Sequence, residues 1–97
     1  MRIISRRILR DFWENHPDAA NPLQTWVHDV EQADWNSPAD IKSVYPTARF
    51  ASNNRVLFNL KGNHYRLVVV VIYKYCLVYI RFVWTLEQVD QMDETAL

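Results

Sequence analysis

One cysteine, Cys76, and one glycine, Gly62, are all that the 97 residues contain of either type. A lone cysteine can make neither an intrachain disulfide nor a cysteine-based zinc site, and it suits a reducing cytoplasm. So little glycine, with four prolines, excludes collagen-like and low-complexity classes. Long apolar runs are missing too. The most apolar stretch, residues 67–73, is seven residues long, and extending it to membrane-spanning length takes in Arg66, Lys74 and Arg81. The first sixteen residues lack the apolar centre of a secretory leader, so neither leader nor membrane anchor is expected. The three histidines, His16, His28 and His64, are spaced too irregularly for a metal motif, so no metal or cofactor is expected.

What is present suffices for a core. Hydrophobic residues make up 49% of the chain and aromatic residues 13%, enough for one folded unit over residues 1–97. The formal net charge of zero conceals strong segregation. Residues 1–10 carry four arginines and no acid, residues 11–40 seven acids and no Lys or Arg, residues 41–86 seven bases and no acid, and residues 87–97 four acids. A basic surface is therefore expected in the second half.

The periodicity divides the chain in two. Ile8, Leu9, Phe12 and Trp13 recur at helical spacing after Ser5, a fair N-cap, until Asn15-His16-Pro17 ends the helix. Asn21-Pro22 reads as the start of a second helix carrying Leu23, Trp26, Val27 and Val30 on one stripe. Ser37-Pro38 opens a short third helix with Asp40 in the acidic place of a capping box, and Pro46 closes it. Residues 2–4 fit either a short strand or the lead into the first helix. From Arg55 the period is two, predicting antiparallel strands at 54–60, 64–73 and 76–84, followed by a short helix over 86–92.

Two-residue turns at Gly62-Asn63 and Lys74-Tyr75 fix the registers. One sheet face then reads Val56, Phe58, Leu60, Tyr65, Leu67, Val69, Val71, Tyr73, Val78, Ile80, Phe82 and Trp84, all apolar or aromatic, and the helices must cover it. The other face carries Arg55, Asn59, Arg66, Tyr79 and Arg81 among apolar residues, with Asn59 opposite Arg66, Arg81 opposite Val68, and Lys61 at the adjacent turn. Cations gathered without an acid suit an anionic ligand. Trp13 and Trp26 read as core, which leaves Tyr79 as the stacking candidate on the open face.

The stretch from Asn54 to Val70, then Tyr79-Ile-Arg-Phe82, resembles the HigB family of type II toxins, within the RelE-like mRNA interferases. Ser37-Pro-Ala-Asp-Ile-Lys42 with Tyr45-Pro46, and the opening Arg-Ile-Ile-Ser-Arg-Arg with Phe12-Trp13 and His16-Pro17, extend the likeness to about residue 85. The resemblance implies an α+β, RelE-like fold, with N-terminal helices on one face of a small antiparallel sheet. It implies a cytoplasmic, ribosome-dependent endoribonuclease acting on mRNA, neutralised in a hetero-oligomer by a HigA-type helix-turn-helix antitoxin. Such cleavage needs no metal: the ribose 2′-OH attacks the adjacent phosphorus while cations hold the added charge.

On this reading Arg66 and Arg81 contact phosphate, with Lys61 and His64 as further catalytic candidates, His64 as a substitute base. Asn59, Asn63, Arg55 and Tyr79 are RNA-binding candidates, joined by Arg6 and Arg10 of the first helix. The sequence departs from the family at its end, where Trp84, Leu86 and Val89 stand in place of Gly, His and Tyr. The His and Tyr are the proton-transfer groups that the resemblance implies. The alternative is therefore a catalytically impaired relative that binds antitoxin or RNA without cutting.

Overall fold

Alternating apolar residues from Arg55 onward build the centre of a five-stranded sheet, and the amphipathic first half supplies its cover. The computed structural model describes residues 1–62 and 64–85. The elements are β1 (Arg2–Ile4), α1 (Arg7–Asn15), a 3-10 turn (Pro17–Ala19), α2 (Ala20–Gln32), α3 (Pro38–Val44), β2 (Arg49–Ala51), β3 (Arg55–Leu60), β4 (Tyr65–Ile72), a second 3-10 turn (Tyr73–Tyr75) and β5 (Leu77–Thr85). The sheet order is β1-β5-β4-β3-β2; β1 runs parallel to β5 and every other pair is antiparallel. This is the α+β architecture expected of a RelE-like chain. The short helix expected over residues 86–92 lies outside the described residues.

The helices cover one sheet face. Leu9, Leu23, Trp26, Val30 and Ile41 are fully buried against Val56, Phe58, Leu67, Val69, Val71 and Val78. Phe58 sits among three rings: Trp26 at 5.5 Å, Tyr45 at 5.2 Å and Trp35 at 6.2 Å between centroids. Trp26 Nε1 has no partner although the residue is fully buried, a cost that the large ring burial outweighs.

Two local expectations are corrected, and one strand is added. Ser5 does not cap α1. It takes φ +70° in the tight turn out of β1, and α1 begins two residues later with no side-chain cap. Asn21 does not cap α2, because the 3-10 turn from Pro17 leads straight into helix at Ala20 and leaves Asn21 and Pro22 in the first turn. Asn53 and Asn54, at φ +63° and +61°, close a hairpin that adds β2 to the β3 edge. Asparagine tolerates the left-handed region, so this pair was the readable sign of an added strand.

The largest correction lies in β5. Pairing runs Ile72↔Leu77 through Val69↔Ile80 as expected, then resumes at Val68↔Phe82. Arg81 is an extra residue, a β-bulge, and from it onward the strand's faces exchange. Phe82 and Trp84, expected beneath the helices, lie on the open face over Leu57 and Val68. Val83, expected on the open face, is 4% exposed in the main core. Val83→Asp should therefore cost at least about 3 kcal/mol by burying an unpaired carboxylate, while Arg81→Ala, at an exposed position, should stay within about 0.5 kcal/mol. Urea unfolding of the two variants checks this, and equal tolerance at both positions would indicate an unbulged strand.

Candidate nucleic-acid interface

Each of the five strands contributes one arginine: Arg2, Arg49, Arg55, Arg66 and Arg81. Among the described residues no strand contains Asp or Glu. The registers assign most of these arginines to the face away from the helices. Arg49 pairs with Leu57 and Asn59 with Arg66, and Leu57 with Val68 forms the small apolar cluster of that face. Arg2 pairs with Leu77 at the β1 edge.

Arg66 is the central member. It lies near the start of β4, half-buried, with Trp84 directly across on β5. Its Nε donates a hydrogen bond to Asn59 Oδ1 at 3.1 Å, the cross-strand pair expected from the Gly62-Asn63 turn. That bond fixes the guanidinium plane. Gly62 itself takes φ +57°, and the His64 N–H donates to the Lys61 carbonyl across the turn. Asn63 lies outside the described residues. Arg55 is half-buried at the start of β3, and His64 is exposed beside β4.

Arg81 does not face Val68; Phe82 occupies that register, and Arg81 is exposed at the bulge. Tyr79 is 39% exposed and pairs with Val70. Phe82 and Trp84 stack on one another, 4.1 Å between centroids and 16° between planes, forming an aromatic surface next to Arg66. Sequence reasoning placed both rings in the core. Nothing in the alternation of residues 80–84 signals the bulge, because Phe82, Val83 and Trp84 are all apolar.

Lys61 does not join Arg66. Its Nζ donates to Asp18 Oδ2 at 2.6 Å, and the same carboxylate accepts the Tyr65 hydroxyl. Tyr65 belongs to the core face, where its ring meets Phe12 and His16 edge-on. The lysine is thus drawn to the helical side and neutralised there. Lys61 and Tyr65 together hold the Asp18 carboxyl well below its ordinary value, at about 2, and Asp18 raises the Tyr65 hydroxyl in return. Arg6 and Arg10 also belong to the helical layer. They line a groove between α1 and α2 with Leu9, Trp13 and Val27, and Arg6 forms an ion pair with Glu31 at 3.3 Å. Arg6 and Arg10 therefore do not extend the open sheet face.

No helix among the described residues is long and apolar enough to cross a membrane. Residues 19–92 match the family described as HigB_toxin, RelE-like toxic component of a toxin-antitoxin system. The chain is 27% identical over 93 residues to the mRNA interferase toxin HigB of Escherichia coli K12, covering 93% of this chain and 88% of that protein. The mRNA interferase HigB proteins of Escherichia coli O157:H7 and Shigella flexneri match with the same identity and coverage.

The Asp18 tie gives the hairpin a pH signature. A carboxyl held near 2 rather than 3.8 stabilises the folded chain fully above about pH 4, and that contribution fades as pH falls toward 2. Asp18→Asn should remove this component, so the stability difference between wild type and variant should shrink between pH 4 and 2. Urea unfolding across that range measures it, and a pH-independent difference would contradict the tie.

Proposed function

Since the chain belongs to the HigB toxin family, RelE-like toxic components of toxin-antitoxin systems, we propose that it is an mRNA interferase that cleaves RNA on the open face of its sheet. The observation that carries this reading is the distribution of charge: one arginine on every strand, no acid on any, and Arg66 held in orientation by Asn59 at the centre.

In the proposed reaction the ribose 2′-OH attacks the neighbouring phosphorus and the 5′ oxygen of the next nucleotide leaves. Negative charge grows on the non-bridging oxygens, and a guanidinium fork binds two of them at once. Arg66 fills this role, with Arg81 and Arg55 guiding the flanking phosphates. His64, exposed at the turn and four residues beyond β3, is the candidate base among the described residues of this half. Lys61 steadies the turn through Asp18 instead of meeting phosphate. Asn63 is a further backbone contact. The substrate is mRNA on the ribosome, the compartment is the cytoplasm, and a HigA-type antitoxin neutralises the toxin in a hetero-oligomer.

One observation favours a second reading. Leu86 and Val89 occupy positions where the family resemblance implies proton-transferring His and Tyr. On that reading the chain binds antitoxin or RNA without cutting.

Expression in a bacterial host with primer extension on a translated message tests both. The interferase reading expects growth arrest and new message ends, with Arg66→Ala lowering cleavage by about a hundredfold while the unfolding midpoint stays close to wild type. The second reading expects no cleavage until Leu86→His and Val89→Tyr are combined. Wild-type cleavage that Arg66→Ala leaves intact would place the chemistry elsewhere.

A further inference from the structure

The proposed reaction accounts for the phosphates of a bound RNA but leaves its bases without a contact. The bulge at Arg81 supplies one. Phe82 and Trp84 are brought onto the face that carries the strand arginines, not the face that the helices cover. A stacked ring pair, each ring half-buried, on the sheet face that the described helices leave uncovered is an unusual use of apolar area, since aromatic rings otherwise go to cores and interfaces. Phe82 backs Trp84 in a near-parallel stack, which holds the indole plane in one orientation. Among the described residues no other ring stacks on Trp84.

Position selects Trp84 over Tyr79. Trp84 pairs directly with Arg66, whereas Tyr79 pairs with Val70, four residues further along β4 and therefore roughly 13 Å away. A nucleotide whose phosphate meets Arg66 has its base within reach of Trp84 and not of Tyr79. Charge complementarity identifies the occupant: strands with one arginine each and no acid attract a polyanion, and single-stranded RNA presents both phosphates and unpaired π-faces. We propose that Trp84, backed by Phe82, is the platform on which one base of a single-stranded RNA stacks beside the phosphate held by Arg66. This rests on the RNA-cleaving reading above and adds a residue that holds a base.

The test uses short single-stranded RNA made 2′-O-methyl throughout, so that it cannot be cleaved, either free or loaded on ribosomes. Each nucleotide in turn is replaced by an abasic unit. Binding is followed by fluorescence anisotropy for the free RNA and by co-sedimentation for ribosomes. Wild type should favour the intact RNA over the abasic form at one position by roughly tenfold to a hundredfold. Trp84→Phe should keep most of that ratio. Trp84→Leu, which still covers Leu57 and Val68, should lose it while keeping the wild-type salt dependence. Arg66→Ala should keep the ratio and lower the salt slope by about 0.7.

Trp84→Leu retaining the wild-type ratio would reduce the ring to packing and overturn this proposal alone. Wild type binding neither free nor ribosome-loaded RNA would overturn the RNA-cleaving reading with it. Unfolding midpoints measured first confirm that each variant is folded.

Discussion

A single inserted residue decides what the open face of this sheet is made of. Val78, Ile80 and Val83 all lie in the main core. A regular strand cannot point 80 and 83 to the same side, because its side chains alternate with a period of two. The bulge at Arg81 resolves the conflict by passing one residue without a partner. The rest of β5 follows from that. Phe82 and Trp84 land on the far face, and the rings close Leu57 and Val68 off to 3% and 0% exposure. Covering two aliphatic side chains in this way is worth about 1.5–3 kcal/mol for each at full burial, so the rings stabilise the face that the described helices leave uncovered.

The same sheet separates the charges. The seven acids of residues 11–40 belong to the helices and their links, while the strands carry arginine and no acid. Layers packed roughly 10 Å apart leave an acid and an arginine on opposite sides attracted by only on the order of 1 kcal/mol. The acids of the helical layer and most of the strand arginines thus lie on opposite sides of the sheet. Two cations beside the acidic layer are paired there: Lys61 with Asp18 and Arg6 with Glu31.

The parts of this arrangement that rest on local chemistry were legible in the sequence. The Gly62-Asn63 turn gave the Asn59–Arg66 pair, since a short turn with a left-handed glycine leaves little freedom of register. Alternation gave the three long strands to within a residue or two of their ends. The bulge was not legible, because Phe82, Val83 and Trp84 satisfy either face by composition, and only the shape of the core prefers valine inside. Neither was the Lys61–Asp18 tie, which joins residues 43 apart in the chain through a 3-10 turn that the sequence did not announce. The edge strand β2 was missed because three residues are too short for a period to emerge, although the Asn53-Asn54 pair marks its turn.

These long-range ties bear on how well a reactive group can be held. The β3–β4 hairpin is gripped from both faces of the sheet near its turn. On the helical side Asp18 takes Lys61 and Tyr65, with His16 stacked on Phe12 beside them. On the open side Asn59 holds Arg66. A turn anchored on one face alone could twist and carry Arg66 with it, while one anchored on both can only move by breaking a charged hydrogen bond. Charge stabilisation in a reaction is effective to the extent that the donors are already in place before the charge develops. An arginine on a central strand, next to a doubly held turn and directly across from the indole of Trp84, meets that condition in a way that a loop residue would not.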